Sequence, residues 1–380
     1  MVILTVAGAV AALIWAYLLL GRGRFWRIGN LSVRPLGVPT AARRVAVVIP
    51  ARNEAAAIGQ SITALLEPAG EPLHVFLVDD ASSDGTAQIA RQAGASLGRL
   101  SSLTILEGSP LPTGWSGKLW ALSQGIAAAH DFAPEFLLLS DADIVHSPAT
   151  IPSLCAIAES GGYDLVSFMV RLHCRSLAEK LLIPAFVFFF FMLYPPAWIA
   201  DSERNTAGAA GGCLLIRPQA LARAGGMEAI RGEIIDDCAL ARAVKRSGGR
   251  VWLGLTGESA SIRPYGSFAE IGRMISRTAF NQLHHSVLLL LGAVAGLAVT
   301  FLLPPALLFS RQLAPVALGA LAWALISVTY LPMVRFYRLN LLWALTLPLA
   351  AVFYMGATLH SAIKFWMGAG GAWKGRAQDV

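Results

Sequence analysis

The amino-acid sequence predicts an α/β domain with a mostly parallel sheet, joined to transmembrane helices. Short β-rich runs alternate with helical stretches between Arg43 and Tyr265. Uncharged apolar stretches of bilayer-crossing length sit near both ends. The 380 residues are 56% hydrophobic, yet the charged side chains concentrate between Arg22 and Arg277, so one chain combines a water-facing part and a membrane part.

Residues 2–20 form the first apolar stretch, followed at once by Arg22, Arg24 and Arg27. Basic residues on that flank set the amino terminus outward and oppose a cleaved signal peptide, whose positive charge precedes its apolar run. The clearest strands are 45–49, 75–78, 103–106, 136–139 and 165–170, with helices over 54–66, 84–93, 119–128 and 149–158. Segment 181–199 is apolar and aromatic but is broken by Pro184, Pro195 and Pro196 inside the 43–265 domain; it reads as an interfacial or re-entrant helix, with a buried core helix as the alternative. Residues 266–283 read as an amphipathic interfacial helix, and 284–362 as about three membrane helices over 287–309, 313–332 and 341–360. In the tail, 363–380, Lys364, Lys374 and Arg376 favour the inside while strict alternation of spans favours the outside.

The net charge of +7 invites a nucleic-acid reading, but no basic run interleaved with aromatics occurs in the water-facing part, so no nucleic-acid partner is expected. Many arginines flank apolar segments, as anchors beside anionic lipid do. Cys155, Cys174, Cys213 and Cys238 contain no C-x-x-C pair and read as reduced thiols. Gly114-Trp115-Ser116-Gly117 lacks the spacing of a nucleophile elbow, and no G-x-G-x-x-G follows the first strand. The His284-His285 pair adjoins a membrane stretch and reads as an interface mark.

Carboxylates recur where the predicted strands end, the edge at which open α/β sheets bind ligands. The first strand runs into Pro50-Ala51-Arg52-Asn53-Glu54, whose turn into a helix could meet a nucleotide. The second ends in Asp79-Asp80, able to accept hydrogen bonds from a base or ribose; Asp84 serves equally as a helix cap. The fourth ends in Asp141-Ala142-Asp143. Alternating carboxylates after an apolar run call for a cation, and hard oxygen ligands suit Mg²⁺ or Mn²⁺ shared with phosphates. Asp236 and Asp237 precede a helix, where acidic caps are ordinary but where a carboxylate could also act as a general base.

VVIPARNE, LVDDASSDGT, GWSGKLWAL, LLLSDADI, GGCLLIRP and IIDDCAL follow one another over about 200 residues. In this order they resemble family 2 glycosyltransferases of the Rossmann-like GT-A fold. The terminal apolar segments and Trp373-Lys374-Gly375-Arg376 are most similar to the hopene-associated membrane glycosyltransferases of bacteria. The resemblance implies a membrane-bound inverting enzyme, multi-pass in the inner membrane with a cytoplasmic catalytic domain. It would move a sugar from a nucleotide-sugar donor, a UDP-sugar or else a GDP-sugar, to a lipid acceptor related to hopanoids. It further implies nucleotide-sugar binding by Pro50, Ala51, Asn53, Glu54, Asp79, Asp80, Lys118 and Asp141, metal binding by Asp143 with Asp141, and base catalysis by Asp237 beside Asp236.

Processive and lipid-directed relatives carry Q-x-x-R-W after the base. Here Met274-Ile275-Ser276-Arg277-Thr278 keeps only the arginine, which leaves Arg277 either as a diphosphate contact or as an interfacial anchor and weakens a polymer-synthase reading. A polysaccharide synthase and an inactive membrane scaffold are the two alternatives.

Overall fold

A computed structural model describes residues 2–28, 43–67, 72–368, 372–373 and 376–377. Lys374 and Gly375 of the tail motif lie outside them. The chain forms two compact units: a sheet unit of residues 43–173 and 198–263, and a helical unit of residues 2–28, 174–197 and 264–368.

The sheet unit is α/β. Its strands are β1 (Val45–Ala51), β2 (Leu73–Asp79), β3 (Leu103–Glu107), β4 (Phe136–Ser140), β5 (Ile144–Val145), β6 (Leu165–Arg171), β7 (Cys213–Ile216) and β8 (Val251–Ser261). They lie in the order β3-β2-β1-β4-β7-β6-β8-β5. β1, β2, β3 and β4 run parallel, and β6 is parallel to β8; β7 runs antiparallel between β4 and β6, and β5 antiparallel to β8. All seven residues of β1 are buried, which explains its unbroken apolar run: strands covered on both faces need no alternation. Strand order reverses at β1, between β2 and β4, and such a switch point opens a crevice at the carboxyl ends.

Four helices follow the predicted pattern with shifted starts: α2 (Ile58–Leu66), α3 (Thr86–Ser96), α4 (Gly117–Ala128) and α5 (Thr150–Ser160). The helix predicted from Glu54 begins at Ile58 because the preceding loop is stitched to the loop after β2. The Asn53, Glu54 and Ala55 amides donate to Ser82 Oγ (3.0 Å), Thr86 Oγ1 (2.9 Å) and Asp84 Oδ2 (2.9 Å), and Ser83 N–H donates to Asn53 Oδ1 (2.9 Å). Asp84 also accepts from the Thr86 amide at 3.1 Å and so ties the two loops together, while Gly85 is the cap residue of α3.

α4 lies close on the sheet at Gly125. A Cβ there would overlap Val48 Cγ1 and come within 3.0 Å of Val78 Cγ2. Gly125→Ala gains about 1 kcal/mol of helix propensity but forces overpacking costing roughly 1–3 kcal/mol. A net loss of about 1 kcal/mol in denaturant melts is therefore expected; a more stable variant would show that α4 sits further from β1. Beyond α5 the unit adds α8 (Pro218–Arg223) and α9 (Asp236–Arg246), and the short α7 (Pro196–Ala200) leads into it.

The helical unit comprises α1 (Val2–Leu20), α6 (Leu177–Leu193), α10 (Phe268–Ser276), α11 (Val287–Leu297), α12 (Leu303–Leu307), α13 (Leu313–Phe336) and α14 (Leu347–Trp366). Among the described residues, five helical segments are long and apolar enough to cross a membrane: Val2–Leu20, Leu177–Ala200, Val287–Leu307, Leu313–Phe336 and Leu341–Trp366. The aromatic segment predicted within the catalytic domain groups instead with these helices, since its rings have partners there. Phe188 packs on Phe25 and Tyr330 (both 5.2 Å), and Phe189 on Tyr354 (4.9 Å) and Phe301 (5.4 Å). The amphipathic stretch forms α10, capped by Ser267 and burying Ile271 and Ile275; it ends at Ser276, short of the predicted 283. Between α11 and α12, Pro304 and Pro305 cannot donate to the Thr300 carbonyl, which accepts instead from the indole N–H of Trp15 in α1 at 2.7 Å.

Candidate active site

The carboxyl ends of β1 and β4, the start of α4 and the start of α9 enclose a cleft of about 330 Å³, counted with its open mouth. Pro50, Lys118, Asp141, Gly211, Asp236 and Asp237 are among the residues lining it. Each arrives by a local device. Asp141 follows β4, whose apolar run ends at Ser140. Lys118 sits in the first turn of α4, which Ser116 caps by accepting from the Leu119 amide at 3.3 Å. Asp236 and Asp237 open α9, where the helix dipole favours anions.

Lys118 organises the charges. Its ammonium lies 3.0 Å from Asp141 Oδ1 and 3.1 Å from Asp236 Oδ2. Burial would favour the neutral amine, but Asp141, Asp236 and Asp237 outweigh it and hold the group protonated well above its ordinary range. Asp237 accepts from the Gly211 amide (2.9 Å, Oδ2) and from the Cys238 amide (2.7 Å, Oδ1). Burial, then the Asp236 charge, push its carboxyl up to about 6, although Lys118 and the two amides pull it down. That range suits a general base near neutral pH. A Cβ on Gly211 would lie 3.3 Å from Lys118 Nζ and 3.4 Å from Asp237 Oδ2, so glycine permits the close backbone approach.

Asp143 has different neighbours. Its Oδ2 accepts from Ser261 Oγ at 2.7 Å and from Arg263 Nε at 3.2 Å, while Arg263 Nη2 reaches both Glu54 oxygens at 2.6 Å. The guanidinium therefore bridges the loop after β1 to the turn after β4, and both carboxylates raise its pKa against the effect of burial. Asp80, almost fully buried, is paired with Arg52, which reaches its carbonyl at 2.5 Å and Oδ2 at 3.4 Å. Asp79 Oδ1 accepts from the Ser82 amide at 3.1 Å.

The predicted site residues thus divide. Pro50, Lys118, Asp141, Asp236 and Asp237 share the cleft; Asp80, Asp143 and Glu54 do not line it. Glu54, predicted as a sugar-nucleotide contact, spends both oxygens on Arg263. Ala51 is fully buried with an apolar side chain, and its carbonyl accepts from the Asp80 amide at 2.8 Å. Asn53 holds the β2 loop through its amide and its side chain. Arg277 caps α10 in the helical unit, outside the unit that carries the cleft.

Sequence reasoning overlooked Arg263 and His146. The His146 ring is buried between Ser140 Oγ (2.8 Å) and Ser259 Oγ (3.2 Å), with Ser259 Oγ 2.7 Å from Thr150 Oγ1. Burial lowers its pKa to about 4, so it is neutral at pH 7 and braces the Asp141–Asp143 turn from behind. A histidine three residues beyond D-x-D was the available signal.

Among the described residues, no group of three or more His, Cys, Asp or Glu side chains is placed to hold a metal ion alone. Three carboxylates facing one ammonium leave the cleft negative, however. A Mg²⁺ or Mn²⁺ ion needs only one or two carboxylates when phosphate oxygens and water complete its shell, so the donor set fits a divalent cation shared with a diphosphate.

Known proteins place this geometry. Undecaprenyl-phosphate 4-deoxy-4-formamido-L-arabinose transferases are similar in part: that of Aeromonas hydrophila is 32% identical over 136 residues, covering 35% of this chain and 38% of the relative. That of Serratia proteamaculans is 30% identical over 127 residues, covering 33% and 36%. The chain therefore matches less than two fifths of the length of either relative. A mannosyltransferase from Pyrobaculum calidifontis, solved with GDP-Man and Mn²⁺, superposes over 93% of this chain and 98% of its own with a TM-score of 0.54 at 19% identity. That likeness shows the fold, a GT-A arrangement of the mixed α/β sheet. Residues 46–224, from β1 through the end of α8, match the Glycosyl transferase family 2 model.

Proposed function

We propose that the protein is a membrane-bound inverting glycosyltransferase that moves a sugar from a nucleoside-diphosphate donor to a lipid acceptor. The observation that carries this reading is the Lys118 ammonium, bracketed by Asp141 and Asp236 beside an Asp237 carboxyl poised near neutrality. Transfer without an enzyme nucleophile needs a proton acceptor for the incoming hydroxyl, and Asp237 suits that task. Lys118 offers a fixed positive charge to the leaving diphosphate. Asp141, in the cleft, would hold Mg²⁺ or Mn²⁺, and Asp143 would join it only by leaving Ser261 and Arg263; the ion when bound offsets the diphosphate charge. Asp79, Asp80 and the loops they stiffen would receive the nucleoside, a uridine or else a guanosine.

Lipid as acceptor is supported by the apolar helices and by the relatives, whose names specify undecaprenyl phosphate. A phosphate acceptor is already ionised at pH 7 and needs no base. A carboxylate such as Asp237 lining the cleft would serve a hydroxyl-bearing lipid, and sequence resemblance suggests a hopanoid or its precursor. The basic flanks of α1 support a cytoplasmic catalytic unit in a bacterial inner membrane.

The test is to offer a panel of nucleotide sugars with lipid extract and Mg²⁺ or Mn²⁺ and identify the product by mass spectrometry. Neither transfer nor donor hydrolysis with any member would end the proposal; several sugars per acceptor would favour the polysaccharide synthase. Asp143→Ala is expected to remove the metal-dependent part of UDP or GDP affinity. Calorimetric titrations that match wild type with and without Mn²⁺ would take Asp143 out of the metal site.

A further inference from the structure

The segment between α7 and β7 runs antiparallel along α9. At the far end of α9, Lys245 Nζ donates to four backbone carbonyls: Trp198 (3.3 Å), Ile199 (2.9 Å), Asp201 (2.8 Å) and Thr206 (2.9 Å). Near the start of α9, Cys238 Sγ lies 3.8 Å from the Ala209 carbonyl. At the near end, the Gly211 amide donates to Asp237 Oδ2. Helix positions 245, 238 and 237 thus meet strap positions 198–206, 209 and 211 in reverse order. Ser167 Oγ fixes the strap from the sheet side, bonding the Ala210 amide (2.9 Å) and carbonyl (3.0 Å).

This arrangement has a physical cause. Trp198 and Ile199 lie in the last turn of α7, where carbonyls have no next turn to bond. An ammonium carries three donors on a flexible stem and can serve several carbonyls converging on it. The strap ends in Gly211 and Gly212, where a Cβ would press on Lys118 and Asp237 or on Ile144. Its placement therefore sets one of the two amides that orient the Asp237 carboxylate.

We propose that Lys245 is a positioning residue which, through the 198–211 strap, holds the Gly211 amide on Asp237 and so aims the base. The idea rests on the reading of Asp237 as the base. Nothing in it requires Lys245 to touch a substrate.

The experiment uses the full-length protein with Lys245→Ala and Lys245→Met. The first leaves a gap among the carbonyls; the second fills it with an apolar chain. Amide hydrogen exchange is expected to speed up at residues 206–211 in both variants, and kcat with UDP-glucose or GDP-mannose, whichever wild type turns over, to fall at least tenfold. UDP or GDP affinity in Mn²⁺ should stay within twofold. Ethylammonium should restore protection and kcat in Lys245→Ala and do nothing for Lys245→Met. Unchanged exchange at Gly211, or kcat equal to wild type, overturns the inference, as does a joint loss of turnover and nucleotide affinity without rescue. Should Asp237→Asn retain full turnover, the base assignment fails; accelerated and rescuable Gly211 exchange would then still report the strap by itself.

Discussion

Asp237→Asn is expected to lower turnover at least about a thousandfold while leaving nucleoside diphosphate affinity within twofold, since positioned proton acceptors contribute about 10²–10⁴ to rate. The amide cannot accept the proton, and the change keeps the shape of the residue between the Gly211 and Cys238 amides. In wild type the same group should set the acid limb of kcat/KM. The carboxyl is pushed up to about 6 by burial and by Asp236, so activity rises with pH through that value and levels above it. Stability carries the opposite sign. A carboxyl with a raised native pKa favours the fold below its ordinary value of 3.8 and loses that contribution as pH climbs through about 6. Asparagine offers one acceptor oxygen where the carboxylate offers two, so one of the Gly211 and Cys238 amides loses its bond, which offsets the gain from removing a buried charge at pH 7. An acid limb that persists in the residual activity of Asp237→Asn would assign it to another group.

The second large effect is on stability. Arg263→Ala removes the cation between Glu54 and Asp143, whose side chains are only 11% and 13% exposed. Breaking a buried pair by deleting one partner costs about 3–5 kcal/mol; with the guanidinium itself 35% exposed, about 2–3 kcal/mol is the expected loss. At about 2–4 °C per kcal/mol for a domain of this size, the melting transition of the sheet unit should fall by roughly 5–10 °C. Adding Glu54→Gln should recover part of the loss by neutralising one stranded carboxylate. A variant that melts with wild type would mean that solvent serves these carboxylates as well as Arg263 does.

The legible and illegible parts of the molecule differ for physical reasons. β1, β2 and β4 announce themselves as apolar runs that stop at polar or acidic residues, because parallel strands buried on both faces cannot alternate. β7 is four residues long, and β8 is interrupted by Gly254 and Gly257 and mixed with Ser and Thr, so neither has a period to detect. Lys118, Asp141 and Asp237 lie in local motifs whose neighbours mark them. Arg263 does not: its partner Glu54 is 209 residues away, and a lone arginine after a strand has no spacing that predicts a bridge. For the same reason the tertiary partner of Glu54 was invisible while its local setting pointed to a ligand. The grouping of segment 181–199 with the helical unit rests on ring contacts, which chain order and composition do not reveal.

The bond from Trp15 to Thr300 bears on what the first helix is for. A tether would tolerate exchange for any greasy segment of equal length. This helix supplies the one donor that the two prolines withhold, and it does so at a fixed rotation and depth, so a generic replacement would leave an unsolvated carbonyl in a lipid-like medium. The amino-terminal segment is thus a keyed component of the helical assembly, with its register set by a single indole.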